Sequence, residues 1–353
     1  MPTKVLSRKR LFEAAEAPAL LLPFLVLGFD IVLFAGGSAL ALLAGSVWLK
    51  LCGSGLIAAA IVRLFLVGHE ACHGSFFATK GLNNVLGRLA FLPSLTAFSL
   101  WDVGHNVAHH GFNNLKGRDQ VWTPFSKAEY DGLSRHRRFM ERIYRSGFGC
   151  GLYYFLELWW RKLYFATRKE IGSPRVKYKL DSALVTLGGA AWVAVVVAVT
   201  RNTHQDFWLL AGLAIALPFA LWNFIMGFVV FVHHTHPTIA WFQKRHEWQS
   251  CRAYLSATAN VRLPLGVDRL MHNIMEHNAH HVNPRVSMFA LRGAQRQLRE
   301  RAAGEFLSYR VDWVSYMNCV RRCKLYDYVN HAWLDWQGEV TARVSPGFSA
   351  PTA

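Results

Sequence analysis

Acidic residues are scarce in this chain: 22 Asp and Glu stand against 39 Lys and Arg, and charged residues of all kinds make up only 17% of the sequence. So little charge does not suit an ordinary soluble protein, and a mean hydropathy of +0.16 with 24 Phe and 13 Trp points to a membrane protein. The formal net charge of +17 would suit nucleic acid, but the basic residues lie between apolar segments and beside no nucleic-acid-reading motif. Anionic lipid headgroups are the simpler partner, and nucleic acid is not expected. The six cysteines (Cys52, Cys72, Cys150, Cys251, Cys319 and Cys323) form no disulfide ladder, and the one close pair lacks the second pair of a structural zinc site. They read as reduced and structural. No glycine-rich nucleotide fingerprint precedes a recognisable strand, no haem-binding segment is fused to either end, and no internal repeat or low-complexity tract occurs. Nor does the start read as a cleavable signal: Lys4, Arg8, Lys9 and Arg10 are followed by Glu13 and Glu16, as expected of a cytoplasmic anchor flank.

Long apolar runs are present in their place. A membrane span needs about 20 mainly apolar residues. Hairpins over about 17–67 and 182–232 meet that length, with Asp30 interrupting the first span and Lys50 and Arg63 placed to snorkel from the second. A third apolar segment, about 84–103, contains Pro93 and Asp102 and reads as a short hairpin or interfacial piece. Residues 104–180 hold fifteen Lys or Arg against six Asp or Glu, which places them on the cytoplasmic side. Their aromatic patch from Tyr153 to Trp160 suits a helix at the headgroup boundary or in a core. The expected fold is an all-α integral membrane protein, a single domain over 1–353. It has about four main transmembrane helices, interfacial or re-entrant segments, and a cytoplasmic helical cap over about 104–180 and 233–345, with a frayed tail near 346–351.

Three histidine clusters stand at the ends of these apolar runs: His69-Glu-Ala-Cys-His73, His105-Asn-Val-Ala-His109-His110 and His277-Asn-Ala-His280-His281. On an α-helix, residues four apart share a face, so His69 with His73 and His105 with His109 are expected to point together at a metal, and His277 and His280 are helical neighbours. His110 and His281 then reach sideways. One such pair alone is more often an ordinary buried or surface pair. Eight imidazoles exceed what one zinc can use, and a nitrogen-rich set with open positions suits paired redox iron. His69 to His73 also fits the H-E-x-x-H string of zinc proteases, but such a site leaves the other two clusters without a purpose. Cys72 and Glu70 fall off the face of His69 and His73. A metal transporter would need its polar ligands at the bilayer midplane, not at the ends of the spans.

The arrangement resembles the membrane fatty acid desaturase superfamily, from about His69 to Phe289. Asn114-Leu-Lys-Gly-Arg-Asp119, Trp122-Thr-Pro124, His234-Thr-His236-Pro237 and His272-Asn-Ile274 are similar to the acyl-lipid omega-6, or delta-12, branch. The first box differs from that branch's common form at Ala71 and Cys72, and the second has three intervening residues where two are common. The resemblance implies a non-haem di-iron centre whose ligands are His69, His73, His105, His109, His110, His277, His280 and His281. It also implies a further ligand after the fourth span, His234 or His236, with His234 preferred. Asn223 could act near the centre through water. Asp119, Asp268 and Glu276 are candidates to orient the distal nitrogen of a ligating imidazole. The implied activity is oxygen-dependent insertion of a cis double bond into an acyl chain, with the delta-12, or omega-6, position implied by the branch resemblance, and with two iron ions and molecular oxygen as co-substrate; a lipid hydroxylase or ketolase on the same scaffold is the alternative. The implied substrate is a membrane lipid or other acyl chain. Electrons are expected from an external ferredoxin or cytochrome, docking on the basic surface around Arg135, Arg137, Arg138, Arg142 and Arg145. The expected location is a bacterial inner membrane with the boxes facing the cytoplasm.

Overall fold

The structure is a computed structural model that describes residues 21–119, 121–167 and 175–345. The basic start, the first residues of the expected 17–67 hairpin and the 346–351 tail lie outside these. The described chain divides into two compact units, one of residues 21–104 with 151–227 and the other of residues 105–150 with 228–345.

Among the described residues, four helical stretches are long and apolar enough to cross a membrane: Leu21–Leu43, Val47–Cys72, Val176–Thr203 and Phe207–His234. Helix α1 is Leu21–Leu43, and α2 runs over Val47–His73 from the Ser46 cap, whose side chain accepts from Trp48 N, to Gly74, whose left-handed φ of 72° ends it. The two pack at glycines: a Cβ on Gly53 would stand 2.4 Å from the Ala41 nitrogen, and one on Gly37 2.9 Å from Ile57 N. The polar residues of this hairpin do not snorkel as the sequence suggests. Lys50 is buried and donates to the Ala41 and Leu42 carbonyls at 3.3 and 3.1 Å, satisfying the end of α1. Arg63 pairs at 2.5 Å with buried Asp30. Each has a protein partner, which matters where no water can serve.

The third apolar segment is broken. Helix α3 (Lys80–Phe91) ends in a 3-10 turn at Leu92–Ser94, and Leu95 takes a φ of 51° before a short turn of helix at Phe98–Trp101. Pro93 removes a backbone donor, so a straight span is not available here. Helix α4 (Val176–Thr203) is anchored to this break: Asp181 accepts from Arg88 Nε at 2.7 Å and from Ser99 N at 2.9 Å. An apolar pocket with Leu27, Phe34, Leu64, Leu86, Leu89 and Pro93 in its wall lies between α1, α2 and α3. The aromatic patch forms an eleven-residue π-helix, Tyr154–Tyr164, that buries Trp159 and leaves Trp160 exposed. The last span has a π-turn at Gly212–Ala216 before α5 (Leu217–His234).

The other unit adds two small sheets to the expected helices. Strands β1 (Ala259–Arg262) and β2 (Leu307–Arg310) pair in parallel, and β3 (Leu325–Asp327), β4 (Ala332–Leu334) and β5 (Val340–Arg343) form an antiparallel meander. These strands have three or four residues each, too short for their alternation to stand out in the sequence. Arg145, expected at the surface, is buried and donates to the Cys323 and Trp122 carbonyls at 3.2 and 3.0 Å. Thus it ties the 105–150 segment to the C-terminal one.

Candidate metal centre

The second box does not lie on an α-helix. Residues Asp102–His109 form a π-helix that passes into an α-turn at His110–Phe112. A π-helix closes i to i+5, so residues five apart come onto one face. His105 therefore faces His110, with their Nε2 atoms 3.0 Å apart, and His109 is turned elsewhere. The third box is on a short α-helix, His277–Val282, where i and i+4 align. His281 Nε2 lies 3.2 Å from His277 Nε2, and His280 projects away from the pair. The pairings expected from the sequence, His105 with His109 and His277 with His280, are replaced by these two.

Two groups of imidazoles result in this unit. His109, His234, His277 and His281 are all buried, and their donor atoms lie within 4.8 Å of one another. His234 Nε2 is 3.1 Å from His277 Nε2, and the His109 ring sits 4.5 and 5.0 Å, centroid to centroid, from His234 and His281. Beside them are His105, His110 and His280, with the His110 and His280 rings 4.6 Å apart. The groups adjoin where His110 stacks on His281 at 4.3 Å. Adjacent residues on a helix point about 100° apart, so each doublet, His109-His110 and His280-His281, sends one imidazole to each group. In the other unit, the last turn of α2 brings His69 and His73 together with centroids 4.6 Å apart.

These nitrogens have the spacing of neighbouring ligands on one cation, for which metal–nitrogen bonds of about 2.0–2.1 Å place cis donors about 3 Å apart. Two of them, on His277 and His281, are also kept neutral. Burial, and then the neighbouring imidazoles, push the His277 and His281 rings well below the ordinary histidine range, so their lone pairs are available to a metal. The donor set suits iron, zinc, copper or nickel.

Of the supporting residues, Asp119 is where orientation demands it. Its carboxylate contacts His109 Nδ1 at 3.1 and 3.2 Å and is itself held by Asn114 N and Val121 N. It fixes the tautomer that leaves His109 Nε2 free to bind a metal. Asp268 and Glu276 turn instead to Arg262, at 3.4 and 3.0 Å. Asn223 donates to the Phe219 carbonyl one turn back on its own helix. His234 and His236 separate clearly: α5 continues through His234 and aims it into the cluster, whereas His236 lies past the helix end. There its Nδ1 meets Thr238 Oγ1 at 2.8 Å, and burial, with Arg322 nearby, pushes its basicity down to about 4. Cys72 Sγ lies 3.9 Å from the Phe98 carbonyl. Two residues were given no role from the sequence, His233 and Glu70, the latter set aside as lying off the face of His69 and His73. His233 stacks flat on His277, centroids 3.8 Å apart, and the His233-His234 doublet is its signal. Glu70 Oε1 lies 3.3 Å from His69 Nδ1, and its other oxygen accepts from Ser75.

Comparison with known proteins places the chain among desaturases. The chain is 29% identical over 275 residues to an sn-1 oleoyl-lipid 12-desaturase of Picosynechococcus sp., covering 76% of this chain and 74% of that protein. A protein of the same name from Synechocystis sp. is 29% identical, covering 76% and 73%. A chloroplastic omega-6 fatty acid desaturase of Glycine max is 30% identical over 76% of this chain, which spans only 60% of that longer protein. None of these names is a hydroxylase or ketolase. Residues 46–313, enclosing all three boxes, match the family model for fatty acid desaturase, and the chain belongs to that family of oxidoreductases.

Proposed function

We propose that this enzyme inserts a cis double bond at the delta-12, or omega-6, position of an acyl chain carried on a membrane lipid. The observation that carries the metal chemistry is the pair of adjoining all-histidine groups, His109, His234, His277 and His281 beside His105, His110 and His280. The position and the lipid carrier follow from the names of the similar proteins. Imidazole alone admits several metals, and family membership selects iron. His69 and His73 are proposed as iron ligands because they form the family's first box.

Iron bound there would supply oxygen activation and removal of hydrogen from an unactivated methylene, which no protein base can perform. The histidines would hold the iron as neutral nitrogen donors, Asp119 fixes the orientation of His109, and the burial of His109, His234, His277 and His281 keeps bulk water from them. The overall reaction balances as one saturated CH2–CH2 pair, one O2, two electrons and two protons giving one CH=CH and two waters. The chain thus yields two of the four electrons that O2 accepts, and an external carrier must deliver the other two. The face of the membrane bearing the second and third boxes is proposed to be the cytoplasmic face of a bacterial inner membrane, on the strength of the basic excess in residues 104–180.

Expression in a host that makes oleoyl lipids but no dienes, followed by chromatography and double-bond location, tests this reading. A new 9,12-diene of unchanged chain length is expected. A hydroxylated chain, or an unchanged acyl pool from iron-loaded protein, overturns it.

A further inference from the structure

We propose that the arginine face of the helix Leu291–Arg301 is the docking surface for an acidic one-electron carrier protein. This rests on the desaturase reading above, whose stoichiometry requires two electrons from outside. The helix has two unlike faces. Leu291, Ala294, Gln295 and Leu298 are buried, while Arg292, Arg296 and Arg299, spaced by four and three residues, form one exposed stripe. Residues 285–301 hold five arginines and a single acidic residue, Glu300. Both Arg292 and Arg296 are exposed; Arg292 acts on Glu276 from a distance, and both guanidiniums still face outward to a partner.

The buried face leads directly to the metal ligands. Gln295 Oε1 accepts a hydrogen bond from Ala279 N at 2.9 Å, and Ala279 lies between His277 and His280 in the third box. A carrier seated on the stripe is separated from the box by one helix, about 10 Å across with its side chains. A basic face over a short path is what electron delivery needs: charge steers the carrier in, and the thin layer brings it close. The surface expected from the sequence offers less. On the helix Arg135–Tyr144, Arg137 pairs with Glu141 at 2.6 Å and Arg142 donates to Tyr130 Oη at 2.9 Å, and Arg145 just beyond it is buried. Three of its five guanidiniums are already committed to the fold. Each docking event passes one electron inward and oxidises the carrier by one, so two events accompany each double bond.

The test uses the full-length, iron-loaded protein in vesicles of neutral phosphatidylcholine. Desaturation is measured with a reduced, acidic plant-type 2Fe–2S ferredoxin at varied concentration, and separately with dithionite and a small viologen mediator. Ferredoxin binding is measured directly in parallel. Arg292→Glu combined with Arg296→Glu is expected to raise the KM for ferredoxin at least tenfold while the mediator-driven rate stays within twofold of wild type. Arg292→Lys with Arg296→Lys should keep the wild-type KM at low salt. An unchanged KM, or an equal loss with both electron sources, overturns the proposal. So does a loss that appears only in vesicles containing anionic lipid, which would make the stripe a lipid contact. If the wild type makes no diene from either source, the desaturase reading fails, and the binding measurement still reports on the surface independently.

Discussion

His105 and His110 stand five residues apart in the chain, yet their Nε2 atoms approach to 3.0 Å because the backbone between them is a π-helix. In an α-helix the same residues would diverge by more than a quarter of a turn, and His105 would align with His109 instead. The extra residue in the turn is what places His110, and not His109, in the group of His105.

Inserting one alanine after Val107, an exposed residue within the π-helix, should therefore be far worse than changing Val107 itself. The insertion lengthens the spacing of His105 and His110 from five residues to six, which neither an α-helix nor a π-helix brings onto one face; Val107→Ala leaves the register intact. Bound iron per protein, measured by mass spectrometry, is expected to fall by at least half in the insertion variant and to stay near wild type in the substitution. Full iron in the insertion variant would show that the five-residue spacing is dispensable.

Asp119 acts on the metal through His109. Asp119→Asn keeps the volume and one acceptor oxygen but loses the charge that holds the imidazole, and the loss in iron affinity should be about 10–100-fold. Iron titration of apo protein checks this. His234→Ala should likewise lose iron and turnover, while His236→Ala, outside both groups, should retain iron. Equal iron loss in the two histidine variants would contradict the separation made by the end of α5.

Lys324 gives the cap a pH dependence. Burial first, and then the Arg145 charge, lowers its basicity from 10.5 to about 8, although its ammonium donates to the Arg145 carbonyl at 2.6 Å. Between those two values the unfolded chain holds a proton that the folded chain has released, so stability rises with pH from about 8 toward 10.5 and is flat below 8. The sign is the reverse of that for a lysine gaining a carboxylate. Lys324→Met should flatten the rise, seen as a smaller change in apparent Tm between pH 8 and pH 10 than in wild type. An identical slope in both proteins would remove Lys324 as its source.

The Arg63–Asp30 pair joins α1 to α2 within the apolar hairpin. Removing one partner leaves a charge without its counter-ion, a change that costs roughly 3–5 kcal/mol in buried pairs. Asp30→Ala should lower the folded yield sharply, as judged by gel filtration in detergent, and Asp30→Leu with Arg63→Leu should recover much of it. A single variant as stable as wild type would show that the pair carries little of the hairpin's stability.

Much of the site was legible beforehand because histidine doublets and boxes are local patterns. The three histidine clusters required only spacing and residue chemistry, whereas the ligand set, the preference for His234 and the candidacy of Asp119 came from the resemblance to the desaturases. The pairing was not legible, because an α-helix and a π-helix can be written with the same letters. Asp268 and Glu276 looked equally fit to orient a ligand; both lie near the third box in the chain, but Arg262 draws them away. Lys50 and Arg63 looked like snorkelling residues since the sequence does not say that the Ala41 carbonyl and Asp30 are within reach.

By itself, the sequence determined that this chain is membrane-embedded, that it carries histidine enough for two metals, and that it resembles the desaturases. Apolar run length and residue chemistry are properties of the chain. Only the tertiary structure decided which imidazoles meet: backbone hydrogen bonding chose the π-register, the length of α5 chose His234 over His236, and packing set Gln295 against the third box. Those outcomes depend on which competing partner lies closer in space, a quantity that residue order alone does not contain.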